Sequence, residues 1–526
     1  MNNLELNQIF APKDGLCLSG AGQSVVSILE MVHSIEQHRK PVIIALYDII
    51  RENGYTTNPD IREAHNFFPG AFLQIGLQFP VQNKTMLRAI GEGKFDQLLN
   101  EMARNYQQIK LPVYLRIGYE FDGEWNDYDP FYYKLAYRRV VDIFRENDVK
   151  NVVFVWNSYQ PNNRDMFNWY PDNPITGDKD GDDYVDWFSY NIIFSDNFEA
   201  GWYLKQAAQH NKPVMIGESS YAIVAAGLSF ESWIKQFFQI INRYKIKGYQ
   251  YINWNWHLYP EETGWKEWKI GRYTDQKALV NLYNSYLQQD SFIFRDANYY
   301  QPVALFIHCA RNLKSPAQNG KVPPVQGDQF TAEQGYSYQV ENVKLMYNDG
   351  FNPYWQSVED LITLKYKVPE QITGGNIFFN LFDDNNGPDW LEIAVGNREM
   401  TIPTDKKNYI KIPFTAQDIN NQVVTLSIKS RQGRLQLEKT GMLIFADDCP
   451  RAPEKVSFDY DDNLQQATLN WSVETDIYLY NIYKNNSLYV MTDQGFFVDK
   501  MADQSDRYSI SSYSLYRGEG PMLFLS

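Results

Sequence analysis

The sequence predicts an α/β chain: a (β/α)8 barrel followed by two β-rich segments. Three observations lead there. Eight near-continuous apolar segments punctuate residues 15–290, and most are followed by a helical pattern, as buried parallel strands require. Beyond that point helical periodicity fades, and short strands bounded by turn residues replace it. The 526 residues also exceed one ordinary domain.

GLCLSGAG (15–22) is read as the first strand, ahead of a helix through Val26, Leu29 and Val32. PVIIALYDII (41–50) is the second. GAFLQIGLQF (70–79) is the third, with a helix through Phe95, Leu98 and Met102 behind it. PVYLRIGYEF (112–121) is the fourth, and FYYKLAYRRVVDIFREN (131–147) follows with apolar residues at helical spacing. NVVFVWNSY (151–159), YVDWFSYNIIF (184–194) and PVMIGESS (213–220) are the fifth, sixth and seventh. A helix from Phe230 to Tyr244 leads to the eighth, GYQYINWNW (248–256), and KALVNLYNSYLQQ (277–289) closes the set. An open doubly wound sheet would carry a glycine-rich phosphate loop after its first strand; Gly20-Ala21-Gly22 lacks the third glycine at that spacing.

LITLKYKVP (361–369), GNIFFNLFDD (375–384), WLEIAVG (390–396), YIKIPF (409–414), VVTLSIKS (423–430) and GMLIFAD (441–447) alternate as strands of a β-sandwich do. SPAQNGKVPPVQGDQ (315–329) reads as a loop and DDCPRAPEKV (447–456) as a linker. The last segment, with KVSFDYD, ATLNWSV, YLYNIYKNN, LYVMTD and RYSISSYS, resembles a small fibronectin-type-III-like sandwich. The expected domains are a catalytic barrel at 1–292, a β-sandwich at 293–448 serving as carbohydrate-binding module or spacer, and the small β domain at 449–526. Trp355 and Trp390 in the sandwich are read as sugar platforms or as core.

Charge narrows the partners. A net charge of −15 disfavours nucleic acid, whose phosphates need a basic surface. Aromatic residues make up 16% of the chain, enough for extra core and for flat amphipathic surfaces of the kind that hold sugars. The six histidines form no HxH or HExxH spacing, so no metal or other cofactor is expected. Cys17, Cys309 and Cys449 do not make a disulfide framework; Cys309 and Cys449 flank one β-rich segment and could pair, with free buried thiols as the alternative. No apolar run has the ~18 residues of a membrane-crossing helix, and MNNLELNQIFAPKDG shows no basic-then-apolar leader. An extracellular or cell-surface mature form is expected, with a cytoplasmic protein as the alternative.

In a (β/α)8 barrel, chemistry sits at the C-terminal ends of the strands. There the fourth strand delivers Gly118-Tyr119-Glu120-Phe121-Asp122-Gly123 and the seventh Gly217-Glu218-Ser219-Ser220. Two glutamates from different strands then face one cavity, as glycoside hydrolysis requires. One carboxyl must hold a proton for the departing oxygen and the other must be ionised, a division set by environments that push the two pKa values apart. The bland alternative, that each glutamate caps a helix or pairs on the surface, leaves their common placement in glycine-containing strand ends unexplained.

Three motifs carry a family resemblance. Arg116 to Asn126, R-x-G-Y-E-F-D-G-x-W-N, resembles the acid/base strand of glycoside hydrolase family 26 in clan A, where the segment typically reads H-E-M-N-G-x-W. KPVMIGESS resembles the family's nucleophile strand, and GDDYVDWFSYN (181–191) is similar to its Y-P-G-D-x-Y-V-D-W signature. The resemblance spans roughly residues 15–290. It implies Glu120 as general acid/base, Glu218 as nucleophile, and net retention through a covalent glycosyl-enzyme with the carboxyls about 5–5.5 Å apart. Tyr119 stands where the family carries His, and Phe121-Asp122 replaces Met-Asn, which points to a divergent branch or sister family.

Further residues are expected around this pair. Arg116 lies four before Glu120, on the same side of a strand, and is placed as support. Tyr119, Asp122, Trp125, Trp156, Asn157, Tyr190, Trp254 and Trp256 are the candidate substrate contacts, with Tyr190 as a hydrogen-bond partner of the nucleophile and Trp254 as a sugar platform. Asp178, Asp180 and Asp182 alternate as in a calcium loop, but the glycine position holds Asp183 and the bidentate position Ser189, so a solvated loop is expected. The function expected is a retaining, endo-acting hydrolase of a β-linked polysaccharide. The alternative is a non-catalytic carbohydrate-binding or adhesion protein on a retired barrel.

Overall fold

The computed structural model describes residues 6–51, 57–194, 198–223, 227–254, 256, 268–295, 303–308, 321–322, 329–331, 335–348, 352–383, 389–404, 409–431, 433–445, 448–515 and 517–525. The chain divides into two compact units: Met1–Ile61 with Gly70–Ala297, and Arg62–Pro69 with Asn298–Ser526.

The first unit is built on a parallel sheet. Its strands are the first, in two pieces (Cys17–Leu18 and Gly20–Gly22), then Ile43–Ile49, Phe72–Gln78, Val113–Ile117, Val152–Ser158, Trp187–Phe194, Val214–Ile223, and the eighth, again in two pieces (Gly248–Tyr249 and Tyr251–Ile252). Each pairs in parallel with its predecessor. The eighth then returns to the first through Leu18↔Gly248 and Tyr251↔Ala21, so the sheet closes on itself. A closed parallel sheet leaves no edge and needs a crossover behind every strand.

Those crossovers are mostly helical: Val25–Ser34, Pro59–Phe67, Lys84–Gly91 with Asp96–Gln107, Pro130–Glu146, Gly201–Gln209, Phe230–Tyr244 and Lys277–Leu287. Behind the fifth strand there are only 3-10 turns, Met166–Trp169 and Gly181–Asp183. The helix after the fourth strand starts where it does because Asp129 accepts from the backbone N–H of Phe131 and Tyr132 and Pro130 follows it, with φ already set. Its buried face is Tyr133, Ala136, Tyr137, Val140, Val141, Ile143 and Phe144.

Alternation along the strands layers the barrel interior. Phe72, Tyr114, Val155, Trp187 and Met215 belong to one buried apolar cluster toward the N-terminal ends. Two residues on along the same faces come Gln74, Arg116, Asn157, Ser189 and Gly217, and the four with side chains are at most 1% exposed. The polar layer thus begins one step below the strand ends, where a (β/α)8 fold keeps its chemistry.

In the second unit a long mixed-length antiparallel sheet and a seven-stranded sheet enclose one core, with Trp355, Ile377, Phe379, Ile412 and Met442 from the first meeting Val340, Leu364, Tyr366, Ile393 and Leu426 from the second. Trp355 is fully buried there, and Trp390 is half-buried. The terminal strands Leu479–Lys484, Ser487–Thr492 and Tyr508–Ser514 join the long sheet through Ile410↔Ser487 and have their own apolar cluster around Leu469, Trp471, Tyr480, Ile482 and Ile510. Residues 62–69 group with this unit. His65 Nε2 lies 3.0 Å from Asn481 Oδ1, and Lys411 Nζ sits between Glu63 (2.8 Å) and Glu519 (3.1 Å), all deeply buried. Cys17 and Cys449 are free; Cys309, and with it the alternative of a Cys309–Cys449 pair, lies outside the described residues. Among the described residues no helix is long and apolar enough to cross a membrane.

Candidate active site

The fourth strand ends at Ile117 and turns abruptly. Gly118 and Glu120 both take left-handed backbone angles, φ 51° and 53°. A Cβ at Gly118 would meet the Phe79 ring at 2.6 Å and Tyr133 at 2.8 Å, so glycine is required there. Glu120 has no such exemption and its conformation is mildly unfavourable, by roughly 1–2 kcal/mol. The turn is held by other contacts. The Glu120 N–H donates to Asn157 O (2.8 Å), Asn126 Nδ2 donates to Glu120 O (2.8 Å), and Gly123 N–H donates to the same carbonyl (2.9 Å). The geometry aims the Glu120 carboxyl over the barrel mouth.

Glu218 arrives from the seventh strand by a different device. The register against the sixth strand slips after Tyr190↔Ile216 to Asn191↔Glu218, leaving Gly217 as a bulge. Gln74 and Gln250 both donate to the freed Gly217 carbonyl. A Cβ at Gly217 would meet Ser189 Oγ at 2.5 Å and the Asn157 and Asn191 amides at 3.0 Å, so glycine also makes room for those side chains.

One polar network connects the two carboxyls. Arg116, fully buried, donates from one guanidinium nitrogen to Glu218 Oε1 (2.8 Å) and from another to Asn157 Oδ1 (2.8 Å). Asn157 Nδ2 donates to Asn191 Oδ1 (3.2 Å), and Asn191 Nδ2 donates to Glu120 Oε1 (2.7 Å). Trp125 Nε1 donates to the other Glu120 oxygen at 3.0 Å. The Arg116 guanidinium lies under the Tyr119 ring at 5.0 Å and near the Tyr47 ring at 5.7 Å. Gly76 leaves space for it, since a Cβ there would come within 3.0 Å of the guanidinium.

Electrostatics acts strongly on Glu120. Burial, and then the charge of Glu218, push the Glu120 carboxyl up to about 8, against the donors Asn191 and Trp125 and the charge of Arg116. Glu120 therefore holds a proton at neutral pH, and Glu218 is the ion-paired partner of a buried arginine. The site brings two carboxyls with unlike surroundings into one network. Among the described residues no group of His, Cys, Asp and Glu is arranged to hold a metal.

The remaining expected residues fall into place unevenly. Trp125 is 43% exposed, beside Glu120, with its ring edge-on to Tyr159 at 4.9 Å. Tyr119 is half-buried over Arg116, and Asn157 lies inside the network. The Asp122 carboxylate takes donors from Ser158 Oγ (2.7 Å), Tyr159 N (2.9 Å) and Asn163 Nδ2 (2.9 Å), so it fastens the 158–163 segment to the turn. Trp254 and Trp256 are 8% and 4% exposed, and Trp256 Nε1 donates to Ser220 Oγ at 2.8 Å. Two expectations are corrected. Trp156 is fully buried, stacked on Phe121 (4.6 Å) and set against Tyr170 and Phe188, so it belongs to the core. Tyr190 is likewise fully buried and packs on Tyr203; its neighbours Ser189 and Asn191 are the ones that face the network. Asn191, Ser189 and Gln74 were missed. The Trp187–Ser189–Asn191 alternation, anchored on an inward Trp187, was the signal available. The carboxylates at 178–182 are used internally: Asp180 grips Arg138 through both oxygens, and Asp182 meets Tyr170 and His210.

Two curated xylanases are similar to part of the chain. A beta-1,3-xylanase of Alcaligenes sp. is 26% identical over 322 residues, covering 53% of this chain and 64% of the relative. A beta-1,3-xylanase of Vibrio sp. is 28% identical over 286 residues, covering 47% and 58%. The chain is a distant relative of these two glycoside hydrolases. It spans about three fifths of the length of these two curated relatives. No protein-family model matches. Solved structures that are similar include a GH26 beta-mannanase from Bacteroides ovatus (14% identity, 53% of this chain and 90% of that one, TM-score 0.37) and the catalytic domain of a GH26 endo-beta-1,4-mannanase from Bacillus sp. JAMB-750 (16%, 54% and 88%, TM-score 0.38).

Proposed function

We propose that the protein is an endo-acting glycoside hydrolase of a β-linked polysaccharide that works with retention of configuration. The observation that carries this is the carboxyl pair: Glu120 holding its proton beside a tryptophan and an asparagine, Glu218 ion-paired to buried Arg116, joined by one network. In this reading Glu218 attacks the anomeric carbon while Glu120 gives its proton to the departing glycosidic oxygen. The deprotonated Glu120 then takes a proton from water, which releases the sugar from Glu218 and restores both groups. Arg116 orients Glu218. Trp125, flat and open to solvent beside Glu120, forms a wall for a sugar ring. Asp122 positions the 158–163 loop in preference to touching sugar.

We further propose 293–448 and 449–526 as two modules of one unit, each with its own apolar cluster and joined through a shared sheet, and an extracellular or cell-surface setting, which a polysaccharide substrate favours. The test is a panel of β-linked polysaccharides with product analysis. β-1,3-xylan comes first, since two relatives carry that activity in their names; β-1,4-mannan, β-1,4-xylan and mixed-linkage glucan follow. Release of oligosaccharides of mixed length from one of them supports the reading. Binding without release across the panel would move the chain to the non-catalytic alternative.

A further inference from the structure

The network between the two glutamates has a direction that its chemistry forces. A guanidinium can only donate hydrogen bonds, so Asn157 must present its carbonyl oxygen to Arg116, as the 2.8 Å contact has it. The amide nitrogen of Asn157 is then turned the other way, toward Ser158 O (3.1 Å), Ser189 Oγ (3.2 Å) and Asn191 Oδ1 (3.2 Å). The Ser158 carbonyl can only accept, which fixes the same orientation independently. Asn191 therefore meets Asn157 with its oxygen, and its own amide nitrogen donates to Glu120 Oε1, at 2.7 Å. Reversing either amide would set donor against donor at Arg116 or leave buried acceptors facing each other, which buried polar groups avoid. On the other oxygen, the Trp125 indole is donor-only as well.

We infer that Asn157 and Asn191 are positioning residues that form a one-way relay: the buried arginine that holds the nucleophile also dictates, through two amides, that a hydrogen-bond donor always faces the acid/base Glu120. Asn157 does so without touching the Glu120 side chain. The relay's effect is to favour the ionised form of Glu120, opposing the burial and the Glu218 charge that favour the proton. It keeps the acid close to working pH, where proton transfer in both directions is cheapest. The charged and titratable groups that act on Glu120 are Arg116 and Tyr119 from the fourth strand and its turn, Tyr128 beyond them, and Glu218 from the seventh strand, with Tyr47 beside Arg116. None of these lies on the relay's own strands, the fifth and sixth. The inference rests on the role proposed above for Glu120.

The test uses Asn157→Leu, Asn191→Leu and the double variant in the full chain. The Glu120 titration is read in two ways: from the basic limb of the kcat/KM profile, and from the 13C shift of labelled glutamate carboxyls, which needs no turnover. Thermal unfolding checks that each variant folds, and Asn157→Ala and Asn191→Ala serve where a leucine is not accommodated. Asn191→Leu removes the donor, and Asn157→Leu frees Asn191 to turn its oxygen toward Glu120. Each single variant is expected to raise the titration by about one pH unit, and the double variant to match Asn191→Leu alone, because Asn157 acts through Asn191. An Asn157 variant that loses activity while the Glu120 titration stays where it was would overturn the relay, as would additive shifts. The carboxyl titration separates this from the functional reading: shifted titrations in a protein with no hydrolytic activity would keep the relay and remove the hydrolase.

Discussion

Replacing Glu120 by Gln removes a titrating group and nearly nothing else, and its largest effect outside catalysis is on stability at alkaline pH. The Glu120 carboxyl stands at about 8 in the folded chain against an ordinary value near 4.5. Between those values the folded state binds more protons than the unfolded state at this site, so stability is present below the lower value and falls as pH rises toward the upper one. At about 1.4 kcal/mol per unit the ceiling is roughly 5 kcal/mol. Glu120 is half-buried, water screens part of that penalty, and roughly 2–3 kcal/mol is the expected effect. Gln carries no charge at any pH. Its amide must turn one N–H toward Asn191 or Trp125, a mismatch of about 1 kcal/mol that does not depend on pH. Urea unfolding of wild type and Glu120→Gln at pH 5 and pH 8.5, followed by tryptophan fluorescence, reads the difference. The variant should gain on wild type by about 2–3 kcal/mol between the two pH values. A difference that stays flat with pH would mean that Glu120 is ionised throughout, and the proton-donor role would go with it.

Other substitutions separate the roles around it. Glu218→Ala should cut turnover by about 10⁴-fold or more and lower the melting temperature, because it strands the buried Arg116 guanidinium, checked by reducing-sugar release and circular dichroism. Trp125→Phe keeps a flat ring and loses the Nε1–H, so the basic limb of kcat/KM should move upward with KM little changed, whereas Trp125→Ala should raise KM as well. Trp156→Ala should destabilise by about 3–5 kcal/mol without a specific effect on KM, since its indole is core. Gly217→Ala should disable the site, because the new Cβ collides with Ser189 and crowds both relay amides; a fully active variant would show that the bulge is not needed.

The barrel was legible because its signals are local. Eight apolar runs announce themselves, a glycine-containing turn marks where Glu120 leaves the fourth strand, and Gly217 marks where the seventh strand bulges to deliver Glu218. Side-chain parity was harder. Trp156 and Asn157 are neighbours on one strand and must point oppositely, yet nothing local says which one faces inward. Tyr114 and Arg116 on the adjacent strand could have supplied the anchor, because an arginine on a buried strand must find its partners inside. Tyr190 was misjudged for the same reason, and the bulge at Gly217, which sets the register opposite it, is a property of two strands together. The grouping of 62–69 with the second unit was invisible from sequence. PDIREAHNF reads as any crossover helix, and the partners that bury Glu63 and His65, Lys411 and Asn481, lie more than three hundred positions away.

The central claim is that Glu218 forms a covalent bond to the sugar and Glu120 helps to make and break it. A 2-deoxy-2-fluoro glycoside with an activated leaving group, of the sugar that the polysaccharide panel identifies, slows release more than attack and traps that bond. Proteolysis and mass mapping of the treated protein should find one sugar on the peptide that contains Glu218, and none after the same treatment of Glu218→Ala. An active protein that carries no label, or carries it on another residue, would contradict the account.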